Sequence, residues 1–80
     1  MSNKYAQFIK ALRTKRGFSQ LVIAEKLAIS RASYIAIERG KRDLTMAEFE
    51  KLSGVFGVSF DEIESGESPN YEKYKEMILA

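Results

Sequence analysis

Apolar residues along this chain recur at helical spacing, and nearly every break in the pattern falls on a residue that ends or starts a helix. Tyr5, Phe8, Ile9 and Leu12 stand at i, i+3, i+4 and i+7, the stripe of a first helix that ends near Lys15. Arg13, Lys15 and Arg16 crowd its C-terminus, where cations suit the helix dipole, and Gly17 supplies a left-handed stop. Ser19 is the expected N-cap of a second helix over 20–27, with Phe18 in position to staple onto Ile23. Only Ala28 and Ile29 separate it from the next cap, Ser30, which opens a third helix over 31–39 closed by Gly40. After a Lys41-Arg42-Asp43-Leu44 loop come two capping boxes, Thr45-x-x-Glu48 and Ser59-x-x-Glu62. The first opens a fourth helix with Met46, Phe49, Leu52 and Phe56 expected inward. The second opens a short fifth helix with Phe60 and Ile63 inward, and Gly57 lies between the two. Beyond the linker-like Gly66-Glu67-Ser68-Pro69, a sixth helix is predicted over 69–79, with Tyr71, Tyr74 and Ile78 as its apolar stripe. No segment alternates as a strand would, so the predicted fold class is all-α.

Eighty residues, 45% hydrophobic and 11% aromatic, suit one domain with one modest core. The absence of cysteine and histidine removes disulfides, the usual zinc ligands and the commonest general base. Neither a metal, a cofactor nor a catalytic residue is expected, and the chain is read as a binding protein, not an enzyme. Two weak signals for other chemistry fail on inspection. In the acidic stretch 61–67, Ile63 occupies the third position, where a calcium loop needs an oxygen ligand. Gly40-Lys41 lacks the upstream glycine of a phosphate-binding loop, because position 35 is Ile. No apolar run is longer than the four residues of 21–24, far short of a membrane span. With no signal peptide evident and no cysteine, a cytoplasmic protein is expected.

Charge changes the picture more. The net charge is only +2, but residues 1–42 hold ten Lys/Arg against two acids, a net +8, and residues 43–80 hold three Lys against nine acids, a net −6. A basic half attracts a polyanion while an acidic half stays off it, which points to nucleic acid. On the predicted third helix, Tyr34, Ile37 and Glu38 share one face, which must be the packed one. The opposite face carries Ala32 and Ala36, flanked by Ile35 and Ser33, with Arg31 in the first turn. Small residues let such a helix lie close to bases in a major groove; arginine can bond guanine bidentately, and alanine or isoleucine can meet thymine methyls.

From Arg13 to Ile63 the chain resembles the Cro/lambda-repressor-type (Xre) helix-turn-helix family. The resemblance rests on Gly17-Phe18-Ser19-Gln20, Ala24-Glu25-Lys26-Leu27, Ile29-Ser30-Arg31, Ile37-Glu38-Arg39-Gly40-Lys41-Arg42 and Phe56-Gly57-Val58-Ser59-Phe60-Asp61-Glu62-Ile63. It implies a five-helix lambda-repressor-like DNA-binding domain over 1–65, followed here by a linker and an amphipathic sixth helix over 66–80. It implies a regulator, a repressor in the first instance, that binds a palindromic double-stranded operator as a homodimer. An antitoxin holding a toxin as partner protein, or the controller of a restriction–modification system, is the alternative within the family. The resemblance places Ser19 and Gln20 at a phosphate, Arg31, Ala32 and Ala36 at the bases, and Ser33, Arg39, Lys41 and Arg42 near the backbone. It pairs Arg13 with Glu38. Phe60, Tyr71, Tyr74 and Ile78 are the candidate dimer or partner contacts. Three departures stand out. Leu21 and Val22 replace polar residues and are expected to pack on a neighbouring helix. Ala28 replaces the usual turn glycine, which a slight change of turn geometry can absorb. Ala36 replaces a longer polar reader, so direct base readout looks sparse, with DNA shape and water carrying some discrimination.

Overall fold

The computed structural model describes residues 4–65, and among them all regular structure is helical: α1 (Lys4–Lys15), α2 (Gln20–Lys26), α3 (Arg31–Glu38), α4 (Met46–Phe56) and α5 (Phe60–Ser65). The predicted sixth helix, with Tyr71, Tyr74 and Ile78, lies outside the described residues, as does the side chain of Phe60. The starts of α2 to α5 have their expected caps. The Ser19 hydroxyl accepts from Val22 N at 3.1 Å and the Ser30 hydroxyl from Ser33 N at 3.0 Å. Thr45 and Glu48 form a reciprocal box, with Glu48 N on Thr45 Oγ1 at 3.2 Å and Thr45 N on Glu48 Oε1 at 2.9 Å. Ser59 and Glu62 repeat it more loosely at 3.1 and 3.4 Å. These bonds satisfy amides that the first turn of a helix leaves without partners.

Three helices end by one device. After α1, Phe18 N donates to Arg13 O and Gly17 N to Thr14 O, both at 3.1 Å. After α3, Lys41 N reaches Ala36 O at 2.8 Å and Gly40 N reaches Ile37 O at 3.1 Å. After α2, Ile29 N reaches Ala24 O at 3.0 Å and Ala28 N reaches Glu25 O at 3.1 Å. Each is a Schellman motif, which needs a left-handed residue between helix and loop. Gly17 (φ 75°) and Gly40 (φ 73°) supply it twice; the third is Ala28, at φ 58°. The turn geometry is therefore not adjusted to suit alanine, as the sequence led us to expect. Instead alanine adopts the glycine conformation.

The core gathers one face from every helix: Phe8, Ile9 and Leu12 of α1, Ile23 and Ala24 of α2, Tyr34 and Ile37 of α3, Leu52 and Phe56 of α4, and Ile63 of α5. Tyr5 packs edge-on against Phe49 at 5.2 Å between ring centroids. Phe18 lies against Phe56, its ring also facing the Lys26 ammonium at 5.8 Å. α2 packs mainly on α3, while α1 crosses behind α3 and α5 and α4 supports α5. Two apolar expectations fail. Met46, the first residue of α4, is 62% exposed, while the buried side of α4 is made of Glu48, Phe49, Leu52 and Phe56. Leu21 and Val22 are 49% and 38% exposed and stand outside the core, which α2 meets through Ile23, Ala24 and the following Leu27. None of the helices among the described residues is long and apolar enough to cross a membrane.

Candidate nucleic-acid interface

The α2–turn–α3 unit is held from behind by a single carboxylate. Glu38 leaves the inner face of α3 with its side chain only 3% exposed. Arg13 of α1 donates to it from Nε at 2.6 Å and from Nη2 at 3.1 Å, and its Nη1 donates to Phe18 O at 2.8 Å. Gln20, the first residue of α2, donates from Nε2 to Glu38 Oε1 at 3.2 Å. The Tyr34 hydroxyl donates to Glu38 Oε2. Four donors from three helices thus converge on one buried anion, the circumstance in which a buried charge is tolerable. The hydrogen bond to Glu38 keeps Arg13 more firmly protonated than usual, and burial, then Glu38, push the Tyr34 phenol far above its ordinary range. The family-implied pairing of Arg13 with Glu38 is present. Tyr34 is on the packed face as expected, with its hydroxyl inside the network.

With Tyr34, Ile37 and Glu38 packed inward, α3 turns its other side out. Arg31 and Ala32 are exposed, and Ser33, Ile35 and Ala36 are partly so. Arg39, at the C-cap, and Lys41, just beyond Gly40, are exposed. Among the described residues neither these two nor Arg31 forms an ion pair, so three cations border the small-residue face of one helix. The Ser33 hydroxyl is held by that of Ser30 at 3.0 Å, and Ser19 is exposed at the start of α2.

Arg42 sits differently from its neighbours. Its Nη1 and Nη2 grip Glu48 bidentately at 2.9 and 3.0 Å, and Nη1 also donates to Asp43 O at 3.2 Å. The hydrogen bond from Arg42 holds the Glu48 carboxyl below its usual range, and Glu48 in turn raises Arg42. Tyr5 completes the anchoring of this loop, donating to Asp43 Oδ1 at 3.1 Å and accepting from Leu44 N at 3.0 Å. The loop after α3 is thereby tied to α1 and α4, and Lys41 is presented from a fixed support. Gln20 and Arg42, grouped from sequence with the backbone-contacting residues, both spend donors inside the protein. Of these links, only Glu48 carried a signal in the sequence, as the acid of a capping box; its second role needs α3 to end where it does.

A helix-turn-helix family model matches residues 9–63, more than half of the chain. The chain belongs to this helix-turn-helix family. Among the curated proteins it is similar to a prophage-derived uncharacterized HTH-type transcriptional regulator, YonR, of Bacillus subtilis, 32% identical over 85% of this chain and 63% of the relative. It is similar also to the cryptic phage CTXphi transcriptional repressor RstR of Vibrio cholerae, 29% identical over 92% of this chain and 68% of the relative. A third relative is the control protein C.MunI of a Mycoplasma species, 32% identical over 75% of this chain and 82% of the relative. The chain thus spans just under two thirds of the length of YonR. No solved structure matches it significantly. Within the family match, the Schellman turn at Ala28 and the Glu38 network join α2 to α3, whose Arg31 and Ala32 are exposed.

Proposed function

We propose that this helix-turn-helix protein is a sequence-specific double-stranded DNA-binding regulator of transcription, acting as a dimeric repressor on a palindromic operator. The observation that carries the proposal is the outer side of α3: a small-residue face bordered by Arg31, Arg39 and Lys41, none of them paired within the described residues. In this reading α3 enters the major groove with Arg31, Ala32 and Ala36 toward the bases, while Ser19, Ser33, Arg39 and Lys41 face the strands. Gln20 and Arg42 act mainly by holding α2 and the loop in place, with their remaining donors available to phosphate. Half-sites one helical turn apart lie about 34 Å from each other. The domain measures 29 × 26 × 23 Å, so two copies fit side by side on one face of the duplex. Similarity to RstR favours repression. Similarity to C.MunI favours a second reading, control of restriction–modification genes, and the promoters in which the selected site occurs separate the two.

The test is selection of bound duplexes from random DNA, followed by binding measurements across salt. We expect a dissociation constant on the order of 10⁻⁸ to 10⁻¹¹ M for the selected palindrome. With about six to ten phosphates contacted per dimer, affinity should fall by roughly 10³–10⁵ between 50 and 200 mM salt. A flat salt response, or equal binding to a scrambled duplex, would refute the proposal.

A further inference from the structure

Polar side chains that could read bases are scarce on the open side of α3, and the structure shows where the others went. Gln20 is committed to Glu38, Glu38 and Tyr34 are buried with each other, and the Ser33 hydroxyl accepts from that of Ser30. Beside Ser33, what remains toward solvent in the middle of the helix is Ala32, Ile35 and Ala36. Ala32 and Ala36 are one turn apart, about 6 Å along the axis, close to two base-pair steps of about 3.4 Å. Ile35 stands beside them at i+3 from Ala32, so the three form one apolar patch. The exposed cations that border the patch, Arg31, Arg39 and Lys41, are donors without acceptor capacity.

Resting on the DNA-binding reading above, we infer that this face selects its site through the C5-methyl groups of pyrimidines, with a guanine contacted by Arg31 as the single hydrogen-bonded anchor of each half-site. The chemistry is differential. A thymine facing the patch brings a methyl group out of water and onto Ala32, Ile35 or Ala36. An adenine or cytosine in the same place brings an exocyclic amino group, a donor, against alkyl groups that cannot accept it. Both effects favour thymine. The feature recognised is the methyl, which 5-methylcytosine also carries in the major groove, so methylation of a cytosine at such a step would strengthen binding where methylation blocks most hydrogen-bonding readers.

Uracil tests this directly, since it keeps every hydrogen-bonding group of thymine and lacks only the methyl. The full chain is titrated against the selected palindrome with deoxyuridine replacing thymine at one symmetric position at a time. Loss of one buried methyl corresponds to about a fourfold drop in affinity per half-site, so roughly fifteenfold for a symmetric pair. We expect that drop at two steps per half-site, none at thymines outside the footprint, and partial recovery when a weakening T·A to C·G change carries 5-methylcytosine. The Ala36→Gln protein, with an amide suited to adenine, should change the preferred base at one of those steps and lose uracil sensitivity there. If uracil throughout leaves affinity unchanged while scrambling still abolishes binding, the methyl inference fails and the regulator reading stands. Unchanged uracil sensitivity in Ala36→Gln likewise removes Ala36 from the patch. A protein indifferent to all duplex sequence overturns both.

Discussion

Ala28 carries a conformational strain that a single substitution should release. Three helices of this small domain end in the same Schellman arrangement, and the central residue is left-handed in each: Gly17, Ala28 and Gly40 at φ 75°, 58° and 73°. For an L-residue the left-handed region costs roughly 1–2 kcal/mol, through crowding of Cβ against the carbonyl oxygen. Glycine avoids that cost but loses about 0.4–1 kcal/mol more conformational entropy on folding. The difference is a net gain of about 0.8 kcal/mol for Ala28→Gly. In a domain of this size it corresponds to a rise in Tm of roughly 3–6 °C. The Ala28 methyl is exposed, so its removal opens no cavity. The reverse experiment is available in the same molecule. A Cβ built on Gly17 meets nothing within 4 Å, so Gly17→Ala should lose about what Ala28→Gly gains, with no steric contribution. Thermal and urea unfolding of both variants, followed by far-UV circular dichroism, provide the comparison; the urea m-value should stay constant if only stability changes. A lower Tm for Ala28→Gly would refute the reasoning, since it would mean that the alanine is not strained in the folded turn.

Other perturbations follow from the same structure. Glu38→Ala leaves the Arg13 guanidinium without its carboxylate in a side chain only 13% exposed, and should cost about 3–5 kcal/mol; Tyr34→Phe removes one charge-assisted bond and should cost about 1.5–3 kcal/mol, and equal costs for the two in urea unfolding would contradict the converging network. Arg42 holds the folded pKa of Glu48 below the ordinary 4.5. Its contribution is therefore complete above that pH and is lost as pH falls through the lowered value; Tm against pH should flatten on this acid limb in Glu48→Gln, and an unchanged limb would assign acid sensitivity elsewhere. Arg31→Ala should weaken binding to the selected duplex by roughly 1–3 kcal/mol per half-site and relax one base preference. A loss equal across all sequences would make Arg31 a phosphate contact instead.

Much of this architecture was legible because its signals are local. Ser19, Ser30 and Thr45 cap helices through hydrogen bonds that span three residues, and Gly17, Gly40 and Gly57 stop them through their own backbone freedom. The i, i+3, i+4 stripes then told which sides of α1 and α3 turn inward. The inward set of α3, Tyr34, Ile37 and Glu38, in turn placed Ala32 and Ala36 outside. The misplaced residues share a different character. Met46 sits at the edge of its stripe, where one helical position separates burial from solvent. Leu21 and Val22 fall on the outer side of a seven-residue helix whose buried residues are Ile23 and Ala24. Apolarity states a preference for burial but not whether a partner exists.

The sequence by itself determined the helices, their ends, the polarity of α3 and the uneven charge, because each depends on residues close along the chain or on simple counting. Only the tertiary structure decided which polar groups stay available. Gln20 meets Glu38 across 18 residues and Tyr5 meets Asp43 across 38, and pairings at such range depend on how the helices cross. The structure also showed Ala28 in a glycine's conformation, which the bonds from Ile29 and Ala28 back to Ala24 and Glu25 require. Gln20 and Arg42 appeared as candidate readers of phosphate until the fold enclosed part of their hydrogen-bonding capacity. Arg31, Arg39 and Lys41 kept theirs because, among the described residues, the packing put no carboxylate within reach.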